Sequence, residues 1–131
     1  MVEYRNTGSL GDTVLASASI PVIFAPVELG RYSYVDGGLM DNIPVAPIRK
    51  DCQRIIASNI SPINPKAKMK NLIQIATRTV YMSVNQKLEE IKKQVDFYIE
   101  PKGIDEYDVF QRKHADELFD LGYKKTMEVL K

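Results

Sequence analysis

Apolar residues along the chain change spacing several times, and each change marks an element. From Met69 to Val95 they fall at positions 69, 72, 73, 76, 80, 84, 88, 91 and 95. That is helical spacing held over many turns, and it predicts one long helix. Ahead of it, "RIIASNI" at 54–60 is an apolar run bounded by Asp51 on one side and by Pro62 and Pro65 on the other. This predicts a buried strand. Behind the helix, "VDFYIEP" reads as a second strand closed by Pro101. A last helix is predicted to open near Asp108 and Gln111, a capping pair, and to bury Ala115, Leu118, Phe119, Tyr123, Met127 and Leu130 on one side. Near the start, "DTVLASASIP" has Asp12 as its expected N-cap and Pro21 as its stop, which predicts a short helix. The β-branched and aromatic runs "VIFAPV" and "RYSYV" are separated by Glu28-Leu29-Gly30 and predict a hairpin or two short extended pieces.

Strand, long helix, strand, helix is a βαβ pattern, so the fold class is α/β. Strands 54–60 and 95–99 are expected to be parallel, with a right-handed crossover. In open sheets of this kind, sites lie beyond the carboxyl ends of strands. Asp36 follows "RYSYV" directly, which places it at such an edge if that run joins the sheet.

Composition narrows the picture without pointing to a chemistry. With 131 residues, 44% hydrophobic and 27% charged, residues 1–131 read as a single globular domain able to bury roughly two thirds of its unfolded surface. Eighteen basic residues against seventeen acidic leave a net charge of +1, which gives no nucleic-acid footprint. The run Lys66-Ala67-Lys68-Met69-Lys70 reads as a solvated helix start. Cys52 is the single cysteine; it has no disulfide partner and no neighbour at metal-ligand spacing, and is expected to be a small buried apolar residue in a reducing compartment. Glu3 and Arg5 stand where a signal peptide would need its apolar core, and no stretch approaches the about eighteen uncharged apolar residues of a membrane span. A cytoplasmic location, no cofactor and no metal are the corresponding expectations.

The segment "YVDGGLMDNIPV" at 34–45 carries the candidate chemistry. Asp36-Gly37-Gly38 alone is ordinary turn composition, since glycine adopts positive φ at no steric cost and the carboxylate can accept from an amide two residues on. The neighbours add a pattern: Ala16-Ser17-Ala18-Ser19-Ile20-Pro21, then Phe24-Ala25-Pro26-Val27, then Tyr34-Val35-Asp36-Gly37-Gly38, then Asn42-Ile43-Pro44-Val45. In this order and at these separations they resemble the patatin-like phospholipase family. "VDFYIEP" and the helix containing Leu121-Gly122-Tyr123 also look like that family's C-terminal end. After the Asp-Gly-Gly segment the family usually has a Leu-Gly-Ala-like approach to the next strand, whereas this chain has Lys50-Asp51-Cys52-Gln53.

The resemblance implies a lipid acyl hydrolase on a three-layer α/β/α sandwich with a mainly parallel sheet. Its Ser-Asp dyad would take Asp36 as the serine's partner, with Gly37, Gly38 and Asn42 supporting the loop and Ile20, Val22, Ile23 and Phe24 lining an acyl groove. A carboxylate in water is a weak base toward a hydroxyl, and removal from water strengthens it. The implied partners are a phospholipid or other acyl-ester substrate, with no nucleic acid; peripheral membrane contact and self-association are further expectations. No Gly-x-Ser-x-Gly occurs, because no two of the glycines at 8, 11, 30, 37, 38, 103 and 122 are four residues apart. Gly8-Ser9-Leu10-Gly11 has the composition with the wrong spacing and reads as a turn. The 131 residues are therefore expected to be the C-terminal half of such a domain, carrying the aspartate and lacking the serine and the oxyanion loop. Ser17 and Ser19 are expected to pack, His114 to be a partly buried structural residue, and Asp41 to be a surface or capping residue. The alternative is a catalytically inactive remnant that binds lipid or oligomerises.

Overall fold

The computed structural model of the protein describes residues 1–62, 69, 71–107 and 112–131. Helices and strands are mixed along the chain, as the α/β reading expects, and the elements fall into two units. One comprises Met1–Pro44 with Lys68–Gln86, the other Val45–Ala67 with Lys87–Lys131.

In the first unit, helix α1 (Leu10–Ser17) begins earlier than the Asp12 cap predicts. The cap is Ser9, whose Oγ accepts from the Asp12 amide at 3.4 Å, while Asp12 places its charge in the first turn, where the helix dipole favours it. The Gly8–Gly11 segment is thus the entry to a helix. After α1 the chain turns through Ile20–Phe24, with the Ile23 and Phe24 amides both donating to the Ile20 carbonyl at 3.2 and 2.9 Å. This turn uses up most of "VIFAPV", and only Val27 enters a strand. Strands β1 (Val27–Leu29) and β2 (Tyr32–Tyr34) form an antiparallel hairpin with Val27 opposite Tyr34 and Leu29 opposite Tyr32. The Gly30-Arg31 connection needs Gly30 at φ 65°, a conformation that glycine adopts without strain.

Helix α2 (Leu72–Val84) also belongs to the first unit. Asn71 caps it, its Oδ1 accepting from the Gln74 amide at 2.9 Å. The helix packs against a 3-10 turn at Gly37–Leu39. The single helix predicted from Met69 to Val95 is instead interrupted by a 3-10 segment at Asn85–Lys87 and resumes as α3 (Leu88–Lys92). The interruption coincides with the passage from one unit to the other. The apolar stripe is not uniformly buried either: Ile91 is buried, while Met69, Leu72 and Ile73 are exposed.

In the second unit, β3 (Ile56–Ser58) and β4 (Phe97–Ile99) are parallel, with Ile56, Ala57 and Ser58 opposite Phe97, Tyr98 and Ile99. The parallel pairing matches expectation; the burial does not. Ile55, Ala57 and Asn59 are buried, whereas Ile56 and Ile60 are exposed. The run is a strand covered on one face, which restores the inside-outside alternation that a doubly covered strand lacks. Asp96 fastens the start of the pair, its Oδ2 accepting from the Ile55 amide at 2.8 Å and from Arg49 at 3.3 Å. Asn59, 1% exposed, fastens the other end: its amide donates to the Ile99 carbonyl at 2.8 Å and its Nδ2 to Glu100 at 2.7 Å. The Tyr98 hydroxyl also donates to Glu100, and burial foremost, with that bond, pushes its pKa far up.

Helix α4 (Ala115–Val129) packs against β4. Its predicted opening at Asp108 and Gln111 lies outside the described residues, as do Lys66 to Lys68 and Lys70 of the basic run. Of the side predicted to be buried, Leu118 is half-buried and Ala115 is exposed. Leu118, Leu121, Gly122, Lys125, Thr126 and Val129 form the half-buried stripe, while Phe119 (70% exposed) and Tyr123 (57% exposed) face solvent with Met127 and Leu130. Gly122 lies in the half-buried stripe, although a Cβ there would meet nothing within 4 Å. Cys52, expected to be buried, is exposed in the turn before β3. Among the described residues no helix is long and apolar enough to cross a membrane.

Candidate functional site

Asp36 lies two residues beyond β2, and this strand pairs with β1, not with the parallel β3–β4 pair. The backbone holds it from both directions. Its amide donates to the Ser19 carbonyl at 3.0 Å, tying it to the end of the small-residue segment, and its carbonyl accepts from the Leu39 amide at 3.2 Å. The half-buried carboxylate caps the Gly37–Leu39 turn, Oδ1 accepting from the Gly38 amide at 2.7 Å. Oδ2 has no hydrogen bond among the described residues, so one oxygen is fixed while the other can accept a proton from an approaching hydroxyl.

The two glycines have different reasons for being there. A Cβ on Gly38 would stand 3.0 Å from Asp36 Oδ1 and 3.1 Å from Asn42 Oδ1, whereas one on Gly37 would meet nothing within 4 Å. Neither adopts positive φ, so the turn reading of the sequence had the wrong reason for glycine: close approach of the Asp36 carboxylate and the Asn42 side chain would crowd a side chain at 38. Asn42 is itself exposed, with its oxygen directed at the Gly38 position.

A strap formed by residues 3–5 grips the segments on both sides of Asp36. The Tyr34 hydroxyl donates to Glu3 Oε2 and accepts from Arg5 Nη2, each at 2.7 Å, and Arg5 and Glu3 pair at 2.8 Å. The Arg5 guanidinium carbon lies 4.7 Å from the Tyr34 ring centroid. Beyond the turn, Tyr4 donates its hydroxyl to Asp41. These contacts act on the titrations: the Tyr34 hydroxyl, then Arg5, hold Glu3 below the usual carboxylate range, and the Glu3 and Asp41 carboxylates raise the Tyr34 and Tyr4 hydroxyls respectively. Sequence reasoning missed the strap because its partners lie about thirty residues apart and match no local spacing rule.

The remaining candidates separate clearly. Ser19 is 3% exposed, and its hydroxyl donates to the Leu15 carbonyl at 2.8 Å; Ser17 is exposed at the end of α1. Neither hydroxyl bonds to Asp36. His114 belongs to the second unit, with Nδ1 3.0 Å from Glu117 and the ring edge-on to Tyr107 at 5.2 Å, a structural setting; Phe110, four residues before it, lies outside the described residues. Ile20 is half-buried, and Val22, Ile23 and Phe24 stand exposed on one turn in which Val22 takes φ 76°. That value is strained for a β-branched residue. No group of three His, Cys, Asp or Glu among the described residues is arranged to hold a metal ion. A family model described as patatin-like phospholipase matches residues 3–49, so the similarity to that family spans the strap, α1, the hairpin and the Asp36 turn together.

Proposed function

We propose that this chain carries the aspartate of a Ser-Asp dyad in a patatin-like lipid acyl hydrolase acting on phospholipid or other acyl esters, and that residues 1–131 are part of its three-layer α/β/α domain. The observation that supports this most is the Asp36 carboxylate, fixed at Oδ1 by the Gly38 amide and without a hydrogen bond at Oδ2 among the described residues, within the segment that matches the family model. In the reaction Asp36 accepts the serine hydroxyl's proton as Oγ attacks the ester carbonyl, then returns it to the departing alcohol; water repeats the cycle on the acyl-enzyme. Amide donors opposite Asp36 stabilise the tetrahedral oxyanion. The sequence contains no Gly-x-Ser-x-Gly, so serine and oxyanion donors come from a segment outside these residues.

A second reading, a non-catalytic lipid-binding module, is favoured by the exposure of Val22, Ile23 and Phe24. One set of measurements separates the two. Intact mass after fluorophosphonate treatment should show no adduct on the 131-residue chain alone. Supplied with a patatin-like segment bearing Gly-x-Ser-x-Gly, the assembly should take up one probe and hydrolyse a p-nitrophenyl ester, and Asp36→Asn should abolish both. An adduct on the chain alone, or hydrolysis retained by Asp36→Asn, overturns the dyad assignment.

A further inference from the structure

The exposed ridge of α4 has no role in the Asp36 chemistry. Phe119, Tyr123, Met127 and Leu130 recur at helical spacing, and Phe119 and Tyr123 stack at 6.2 Å with their planes 14° apart, forming one continuous apolar surface. Beside the ridge stand four exposed charges: Asp116, Asp120, Lys124 and Lys131. None has an ion-pair partner among the described residues, although Glu117 on the same helix engages His114 and Lys125 engages Glu128. The two acids lie in the N-terminal half and the two lysines in the C-terminal half.

We propose that α4 is a self-association face, on which two copies of this chain pair antiparallel about Tyr123. With the two Tyr123 side chains opposed, Phe119 lies four residues to one side and Met127 four to the other, so Phe119 of each copy meets Met127 of the other. The charges fall into register in the same arrangement. Asp116 is seven residues before Tyr123 and Lys131 eight after it, while Asp120 is three before and Lys124 one after. At a rise of about 1.5 Å per residue, each acid lies within roughly 3 Å along the axis of a lysine on the other copy. A parallel pairing would place acid beside acid and lysine beside lysine. An anionic lipid surface would meet Asp116 and Asp120 at the edge of the ridge, so the pattern favours a second copy as the occupant. One helix pair buries less than the roughly 1,200 Å² of a stable interface, so the dimer is weak and concentration-dependent.

Sedimentation velocity of the full chain, from about 10 μM to about 1 mM in low salt, should show the average mass rising toward that of a dimer. Tyr123→Lys should abolish the rise; because Tyr123 is exposed, the variant keeps its fold, which circular dichroism checks. Asp116→Lys/Asp120→Lys and Lys124→Glu/Lys131→Glu should each remain monomeric alone, and mixed in equal amounts they should form a one-to-one heterodimer. A monomer throughout overturns the proposal, as does association unaffected by Tyr123→Lys or a mixture that fails to associate. Capture of a different macromolecule on the ridge without self-association overturns it too.

Discussion

Gly38 and Val22 show how much can rest on one backbone position. At Gly38 a methyl group would crowd Asp36 Oδ1 and Asn42 Oδ1, so that both side chains would have to give by a few tenths of an ångström. Gly38→Ala should therefore cost about 1–3 kcal/mol in urea unfolding. It should also shift the NMR signals of the Asp36–Asn42 segment, while Gly37→Ala, with open space around it, leaves both nearly unchanged. Val22 presents the opposite case, a β-branched residue held at φ 76° with its side chain exposed. Asparagine tolerates that conformation, so Val22→Asn should raise stability by about 1 kcal/mol in the same assay. The aspartate and its glycines stood out in the sequence because their side chains and their order are distinctive. The strain at Val22 and the Tyr34–Glu3–Arg5 contacts left no such trace, since apolar residues next to proline and scattered charged residues are common in any chain.

At the level of elements, two side chains fasten whole segments. Ser9→Ala removes the acceptor of the Asp12 amide and should lower stability by about 0.5–1 kcal/mol, with helix content falling first at α1. Asp96 is held below the usual carboxylate range, first by the Ile55 amide and, against some desolvation, by Arg49. The native state therefore releases that proton more readily than the unfolded chain does. The stability Asp96 contributes is present above the unfolded value of about 3.9 and is lost as pH falls through its lowered value. Asp96→Asn should unfold at lower urea concentration than the unaltered chain at about pH 7, and the gap should narrow at about pH 2. Element type was legible from period, as the parallel β3–β4 pair and α4 show. Which face each element buries was not: on α4, Leu121 and Val129 turn inward while Phe119, Tyr123 and Met127 face solvent, and the choice between two apolar stripes on one helix depends on what the helix packs against, a fact of packing and not of spacing.

At the scale of the whole molecule, the buried residues among those described are unevenly shared. Ile55, Ala57, Asn59, Ile91 and Ile99 lie in the second unit with Val45, against Ala16 and Ser19 in the first. Native-state hydrogen exchange should accordingly find its slowest amides in and beside the β3–β4 pair, Asn59 among them, and faster exchange along α1; uniform protection would contradict this division. The class of fold could be read because strands and helices alternate. The division into units could not, because it depends on contacts between stretches far apart in the chain. That interleaving also imposes an order on synthesis. The Asp36 turn is translated early, but α2, the helix that packs on it, is complete only once Val84 has been added. At about 5–20 residues per second the turn waits for several seconds with its covering helix unmade. A nascent chain halted after that turn has left the ribosome but before α2 has would present the aspartate loop to chaperones and proteases without its support.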